Sequence, residues 1–453
     1  MTADDTRNGR SMNILWIVID SLRADHLGCY GYARCTSPHI DRFAQECVRF
    51  TQCISPHIPT QPAHTTMFSG LDVFAHQIVA QGGRKELNPA IRLLPQLLRA
   101  HGYFTGAVDN IGRWFAPAFE RYVSYPRWDH DGSRPWRIGE EVTARALALL
   151  NEANCAGQPF FLFVHYWDPH SPYLPPPPFH RMFYEGNERD LAHRAGPHSM
   201  DPVWRSPWFA NYFAEWLEGV TDIRYVIAEY DASIAYADAC LAHLFQRLTE
   251  LDRRRDTLVL LCADHGEELD DHGCWFDHHG LYDTNVRVPL LLHFPDGRSA
   301  GRVITDMVSM LDLAPTVLDA AGLAEVARAC GMAGRSLLPL IEGRAIAPLE
   351  AIYLTECTWM RKRGWRTPQW KLIRALEPDI YGKPAVELYD LRRDPAERHN
   401  LAEARPEVVQ ALSAAMDAWV ARRLAETGLP DPLIDQADAL RIWQPRFIAG
   451  RRG

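Results

Sequence analysis

The sequence lacks several features that would assign it to other classes of protein. It has no apolar run that could cross a bilayer, since the first one covers only residues 14–19 and a membrane helix needs about 20. Its 10 cysteines are scattered singly, without the close pairs of zinc motifs or the density of a disulfide-stapled domain. We therefore expect no signal peptide, no membrane anchor and no membrane partner, and a cytoplasmic location.

An excess of basic residues is also missing. The formal net charge is -9, whereas a protein that neutralises nucleic-acid phosphates needs a basic surface. The sequence thus predicts no nucleic-acid partner, and a small anionic ester substrate fits only if a metal ion supplies local positive charge. Hydrophobic residues make up 47% and charged residues 23% of the chain, which is typical of a folded globular protein. Whether the chain forms a homo-oligomer stays open.

Short apolar runs alternate with segments of helical periodicity. Four runs have the continuous hydrophobicity of strands buried on both faces, at 14–19, 160–164, 258–261 and 290–292. Helical spacing occurs between them, at 93–100, 143–150, 234–248 and 311–321. This alternation predicts an α/β fold in which a mostly parallel central sheet is sandwiched by helices.

The sequence divides into a large unit and a smaller one. We expect a catalytic domain at 1–345, a C-terminal αβ subdomain at 346–427 and a tail at 428–453. Within the large domain, residues 172–222 form a Pro-rich and aromatic insertion, with aromatic side chains at 204, 208, 209, 212, 213 and 216. Such a segment either covers a site or forms a packing or subunit contact, and the sequence does not decide between these.

Acidic residues and histidines follow three of the predicted strands. Asp20 follows the first, residues 165–170 (HYWDPH) follow the second, and Asp264 with His265 follow the third. Ligands of open α/β sheets bind beyond the carboxyl ends of the strands. One acidic residue after a strand is usually a turn or a cap, but three convergent examples favour a shared metal site.

Longer motifs resemble the sulfatase and alkaline phosphatase superfamily. Residues 262–267 read CADHGE, a second DHG follows at 271–273, and RVP opens a strand at 287–289. Residues 20–25 (DSLRAD) resemble the family's first loop, and 387–391 (ELYDL) its C-terminal ending. Because these matches follow the family's order along the chain, it is identified as a member. The resemblance implies an alkaline phosphatase-like fold and ester hydrolysis.

Thr60 stands where sulfatases carry the cysteine that is oxidised to formylglycine. The family motif is C-x-P-x-R, and residues 60–64 read TQPAH. The resemblance implies that Asp20, Asp264 and His265 hold a divalent metal ion, with Thr60 completing its shell as the nucleophile and no formylglycine. A threonine hydroxyl needs such activation. The other interpretation is that Thr60 only caps the helix that follows.

Further positions depart from the sulfatase pattern. His64, Asn110 and His278 stand where the family usually has arginine or lysine, so permanent cations are replaced by groups that can be neutral, act as acids or bind metals. We expect His64 and His278 to be catalytic, and Asn110 and His279 to bind substrate. His170 matches a family position that contacts the substrate and protonates the leaving group.

Dinuclear relatives build a second metal site from one Asp and two His. Asp168, His170, His278 and His279 could supply such a site here, with Asp168 and His279 favoured, although Ser21 replaces a second liganding aspartate at the first site. Imidazole among the ligands favours Mn or Zn over Ca, which prefers oxygen alone.

These departures suit a substrate with little negative charge at the reacting group. We therefore expect a metal-dependent phosphoester hydrolase, with a phosphodiester or phosphonate monoester favoured, that acts through a covalent phosphoryl-Thr60. One alternative is a sulfuric ester hydrolase similar to arylsulfatases. Another is an inactive binding protein that keeps the fold.

Overall fold

The computed structural model describes residues 12–125, 138–206 and 210–436. Its strands, in chain order, are β1 (Asn13–Ile19), β2 (Val48–Ile54), β3 (His57–Ile58), β4 (Phe104–Val108), β5 (Arg121–Val123), β6 (Phe160–Tyr166), β7 (Thr257–Cys262), β8 (Glu268–Leu269), β9 (Trp275–Asp277), β10 (Arg287–His293), β11 (Val303–Ile304), β12 (Val308–Ser309), β13 (Ile352–Glu356), β14 (Lys362–Arg366), β15 (Trp370–Ala375) and β16 (Val386–Asp390). Its α-helices are α1 (Pro38–Ala44), α2 (Thr60–Ser69), α3 (Val73–His76), α4 (Leu94–Ala100), α5 (Ile138–Cys155), α6 (Asp201–Trp204), α7 (Ala210–Leu217), α8 (Ile223–Glu250), α9 (Asp283–Val286), α10 (Leu313–Ala320), α11 (Ala324–Ala329), α12 (Leu338–Ile341), α13 (Pro406–Thr427) and α14 (Pro432–Asp435). None of these helices combines the length and apolarity that a bilayer span requires.

The main sheet is mostly parallel. Its order is β11-β2-β10-β7-β1-β6-β4-β5, with β12 beside β2. Strand β1 pairs in parallel with both β6 and β7, and β10 is the strand that runs antiparallel to its neighbours. Every residue of β1, β6 and β7 is buried, because helices cover the sheet: α5 packs on β4 and β6 and joins α8, while α2, α4 and α10 form a second group. The predicted α/β fold is therefore confirmed.

A second sheet includes strands of both the large unit and the C-terminal unit. Its order is β16-β15-β14-β13-β3, and β13 to β16 pair antiparallel as a meander. Strand β3 adds in parallel at the edge of β13, and α13 packs on the same sheet through Met416 and Val420. Since β3 ends two residues before Thr60, this small sheet supports the start of α2.

The segment 172–222 is folded where the structure describes it. It contains a short 3-10 helix at Leu191–Ala195, helix α6 and helix α7. The predicted aromatic residues Trp208 and Phe209 lie outside the described residues, as does the part of the predicted tail beyond 436. Phe213 and Trp216 are buried.

Candidate active site

The candidate site forms at the carboxyl ends of the three central strands. Asp20 directly follows β1, and Asp264 with His265 follow β7. All three side chains are fully buried, and one ligand atom from each lies within 4.8 Å of the others. The structure therefore brings the three predicted metal ligands to one point, as expected when neighbouring parallel strands end at one edge.

Hydrogen bonds orient these three side chains. Asp264 Oδ1 accepts from the backbone N–H of Ser21 (3.3 Å) and of His265 (2.9 Å). His265 Nδ1 lies 2.9 Å from the Gly266 carbonyl oxygen, so it carries the proton and Nε2 carries the lone pair. This Nε2 lies 3.5 Å from Asp20 Oδ1 and 3.5 Å from Asp264 Oδ2. Oδ2 of Asp20 and Oδ2 of Asp264 are buried without hydrogen-bond partners among the described residues, and this donor set fits a divalent cation.

Both carboxylates are ionised at neutral pH. Burial alone would raise the pKa of Asp20, but the imidazoles of His170, His165 and His265 lower it overall. Burial and the neighbouring Asp20 also act to raise the pKa of Asp264, and it is again lowered, by His265 and His64. The carboxylates are therefore in the form that a metal ion binds.

Thr60 lies beside this cluster. It is the first residue of α2, and the residue in the N-cap position is Pro59. Thr60 Oγ1 lies 3.1 Å from His265 Nε2, and because that nitrogen carries the lone pair, the hydroxyl is the donor. The side chain thus contacts the candidate metal site, which argues against the interpretation of Thr60 as a helix cap.

A cavity of about 430 Å³ opens over Thr60. It is lined by Thr60, Gln61, Gln81, Gly82, Gly83, Glu86, Asn110, Ile111, Arg113, Trp167, His170, Ser171, Tyr212, Asp277, His278, Thr358 and Trp359. The lining includes Asn110, His170 and His278, which the sequence assigned to substrate binding or catalysis. Both side-chain polar atoms of Asn110 lack partners in the described part of the chain, so its amide is available to a ligand.

The two cavity histidines come from different segments. His170 stacks on Trp167, with ring centroids 4.4 Å apart, and its Nδ1 lies 2.6 Å from the Ser171 carbonyl oxygen. His278 lies with its ring centroid 5.2 Å from that of His170 and 4.3 Å from that of His265. A group bound in the cavity would therefore meet imidazoles from two segments of the chain.

Two predicted residues do not line the cavity. His64 lies one helical turn beyond Thr60, which directs it into the core beside Asp264, with its Nε2 3.5 Å from Asp264 Oδ2. His279 is buried next to Asp277 (3.3 Å) and Glu356 (3.7 Å). Burial opposes a charge on His279, but these carboxylates raise its pKa to about 9. His279, which was expected to bind substrate, therefore lies beneath the cavity wall, and His64, which was expected to be catalytic, lies there beside Asp264.

Asp168 and His279 are the residues favoured by the sequence for a possible second metal site. No group of three candidate ligands among the described residues includes Asp168 or His279. Asp168 faces Gly139 at the start of α5, and burial raises its pKa to about 7. Adjacent residues of a turn point in different directions, and here His170, not Asp168, lines the cavity.

Several lining residues carried no signal in the sequence. Arg113 brings a permanent cation, and its Nη1 donates to Gln61 Oε1 (3.1 Å) and to the Gly83 carbonyl (2.9 Å). Tyr212 and Trp359 add aromatic surface. They come from separate segments of the chain, and Tyr212 belongs to the insertion, so only the insertion's aromatic composition pointed to part of this set.

The family pattern over residues 12–323, together with the mostly parallel sheet, places the chain among the hydrolases of the alkaline phosphatase superfamily. Within that superfamily the chain belongs to the sulfatase family, whose sequence pattern matches residues 12–323. The pattern of the N-sulphoglucosamine sulphohydrolase C-terminal region matches residues 270–422.

Known relatives include proteins named for different esters. The chain is 28% identical over 412 residues to the multifunctional alkaline phosphatase superfamily protein PehA of Trinickia caryophylli, covering 73% of this chain and 77% of that protein. It is 29% identical over 433 residues to the choline-sulfatase of Rhizobium meliloti, covering 86% and 82%. The crystal structure of a phosphonate monoester hydrolase of Agrobacterium radiobacter matches with a TM-score of 0.73 at 21% identity, covering 91% of this chain and 96% of that one. These likenesses establish the fold and leave the ester open.

Proposed function

We propose that the protein hydrolyses a small anionic phosphoester, a phosphodiester or a phosphonate monoester, through a covalent phosphoryl-Thr60. The observation that carries this proposal is the position of Thr60, which lines the cavity and whose hydroxyl lies 3.1 Å from Nε2 of His265. A hydroxyl at this position can attack a phosphorus or sulfur centre bound in the cavity. The same fold carries phosphonate monoester hydrolysis in the Agrobacterium radiobacter enzyme.

Asp20, Asp264 and His265 would hold a divalent cation, and their donor set favours Mn or Zn over Ca. When bound, such an ion lowers the pKa of a neighbouring hydroxyl and offsets charge on a phosphoryl group. The chain itself fixes the ligands: Gly266 holds the His265 tautomer, and backbone N–H groups hold Asp264.

The remaining side chains suit the other steps of the reaction. The Thr60 hydroxyl gives its proton to solvent as Oγ1 forms a bond to phosphorus and the bond to the leaving-group oxygen breaks. That oxygen takes a proton from the imidazolium form of His170. The Nδ1 of His170 is held by the Ser171 carbonyl, so Nε2 is the atom that can transfer the proton. The Asn110 amide would bind a non-bridging oxygen. Water then hydrolyses the phosphothreonine and restores the Thr60 hydroxyl.

The cavity surface favours an ester with a second organic substituent. A phosphodiester and a phosphonate monoester both carry two carbon-containing groups at phosphorus, whereas a sulfate ester carries one at sulfur. Trp167, Tyr212 and Trp359 provide aromatic surface within a cavity of about 430 Å³, which can accept both groups. Sulfuric ester hydrolysis is the second candidate, since the chain resembles a choline-sulfatase over most of its length.

Rates on a matched set of aryl esters would test the choice of substrate. An aryl phosphodiester, an aryl phosphonate monoester, an aryl phosphate and an aryl sulfate share one chromogenic leaving group and differ only at the reacting centre. With Mn or Zn added, we expect the highest kcat/KM for the diester or the phosphonate. Turnover of the sulfate alone would contradict the proposal and support the second candidate.

Variants of Thr60 would test the mechanism separately. We expect Thr60→Ala to lower kcat by at least about 10³-fold, because the nucleophile is lost, and Thr60→Ser to keep measurable activity. Thr66 is a matched control in the same helix, since its hydroxyl bonds to His76 and does not line the cavity. Mass spectrometry of quenched reactions should locate a phosphoryl group on residue 60. Unchanged activity in Thr60→Ala would exclude Thr60 as the nucleophile.

A further inference from the structure

A second group of potential metal ligands lies behind the first. His64, from α2, and His165, near the end of β6, form a group with Asp264 whose ligand atoms all lie within 4.8 Å of one another. All three residues are 0% exposed. The two imidazole rings have their centroids 4.8 Å apart.

The polar atoms that face this group are unsatisfied. Nε2 of His64, Nε2 of His165, Oδ2 of Asp264 and Oδ2 of Asp20 are buried and make no hydrogen bond with any described residue. They are nevertheless neighbours, because His64 Nε2 lies 3.5 Å from Asp264 Oδ2 and His165 Nε2 lies 3.3 Å from Asp20 Oδ2. Buried polar atoms without partners are rare, so four adjacent ones indicate a ligand that they share.

His165 is oriented in the manner of a metal-binding histidine. Its Nδ1 lies 2.8 Å from Asp109 Oδ1, and Tyr122 donates to the other carboxylate oxygen of Asp109 at 2.6 Å. A carboxylate on the far ring nitrogen fixes the tautomer and leaves the lone pair on Nε2. That nitrogen is the one that faces Asp20.

The two carboxylate oxygens of Asp20 face the two different groups of potential metal ligands. Its Oδ1 lies 3.5 Å from His265 Nε2, and its Oδ2 lies 3.3 Å from His165 Nε2. We propose that the chain binds two divalent cations that share Asp20 and Asp264: an outer ion held with His265 beside Thr60, and an inner ion held by His64 and His165. Two imidazoles and two carboxylates form a ligand set that suits Zn or Mn. The inference rests on the proposed function only for the role of the outer ion.

Two other arrangements are alternatives to the inner ion. Burial lowers the tendency of His165 to be charged, but Asp109 and Asp20 raise its pKa to about 10, so a proton on Nε2 could replace the metal. The second arrangement places the additional ion at Glu267, Asp277 and His278, which form a separate group of buried ligands at the cavity wall.

Metal content distinguishes these arrangements. The full chain, loaded with Zn and dialysed, should hold two ions by elemental analysis, and His64→Phe and His165→Gln should each hold one. Phenylalanine suits position 64, since Phe68, Phe115 and Phe163 surround the ring. Glu267→Gln is the control and should keep two. Circular dichroism at the assay temperature checks that each variant is folded.

The same protein loaded with Mn gives a second readout that does not depend on catalysis. Two ions that share carboxylates are close enough for spin coupling in the EPR spectrum, which His64→Phe should abolish. One ion per wild-type chain overturns the inference even if no variant folds, and loss of the second ion in Glu267→Gln alone also overturns it. Ester hydrolysis by a one-ion wild type would leave the proposed function intact, whereas two bound ions without turnover would support only the inference.

Discussion

Mild acid should lower the stability of the folded protein through the buried side chain of His57. This residue is 1% exposed and lies in β3, which joins the small sheet to the start of α2. Its Nδ1 lies 2.9 Å from Thr355 Oγ1, and its Nε2 has no hydrogen-bond partner in the described chain. Burial lowers the pKa of His57 from 6.5 to about 3, so the folded state contains the neutral ring.

The sign of the effect follows from this difference. As the pH falls below the unfolded-state pKa, the unfolded chain binds a proton that the folded chain does not. The free energy of unfolding is therefore unaffected by the titration of His57 above pH 6.5. Below that pH it falls progressively until the folded-state pKa of about 3 is reached. At about 1.36 kcal/mol per pKa unit, the loss between pH ~7.5 and ~5 is about 2 kcal/mol.

Urea unfolding of the wild type and of His57→Gln at several pH values would measure this loss. Glutamine can keep a hydrogen bond to Thr355 and does not titrate. His399→Gln is a matched control, since the His399 side chain is 79% exposed, and it should follow the wild type at every pH. The wild type should lose about 2 kcal/mol relative to His57→Gln between pH ~7.5 and ~5. If the difference in unfolding free energy between the wild type and His57→Gln stayed constant over this pH range, His57 would not be neutral in the folded state.

Three further predictions concern charge. Lys371→Met should lower the free energy of unfolding by about 3–5 kcal/mol, measured by urea titration, because Lys371 is fully buried and its Nζ lies 2.7 Å from Asp283 Oδ1. Asn110→Lys should raise the kcat/KM for a dianionic aryl phosphate relative to the diester by about tenfold, near 1.4 kcal/mol, in steady-state assays. Removing metal with a chelator should lower the Tm, by an amount equivalent to about 4 kcal/mol when the ion was present at about 1,000 times its Kd; an unchanged Tm would argue against a bound ion.

The central sheet could be predicted from the sequence because its strands are buried on both faces. Continuous apolar runs such as that of β1 have few other stable environments, and the residues directly after them must meet at one edge of a parallel sheet. Asp20, Asp264 and His265 are therefore expected at one edge without any knowledge of the loops between them, and the structure brings them together there.

Other elements could not be recognised because their burial depends on distant partners. Strand β14 (KRGWR) is fully buried although three of its five residues are cationic. It is tolerated because Lys362 and Arg366 pair with Asp379 and Asp283 from other segments. Periodicity also could not tell which side chains of the turn after β6 face the cavity, and among them His170 lines it whereas Asp168 does not.

The need for positive charge beside two buried carboxylates explains why histidine can replace arginine in the sulfatase pattern. Asp20 and Asp264 are buried, and lone buried carboxylates are strongly unfavourable unless positive charge lies close to them. The permanent cation of the cavity, Arg113, already bonds to Glu86 at its rim. The positive charge beside these carboxylates must therefore come from imidazolium groups or from metal ions. Histidine at position 64 can carry a proton or bind a metal ion. The arginine that is usual in the family is always charged and does not bind metal ions. Under the proposed mechanism, a metal ion that supplies this charge would stabilise the buried carboxylates and activate the Thr60 hydroxyl, so both effects would depend on whether the ligands are occupied.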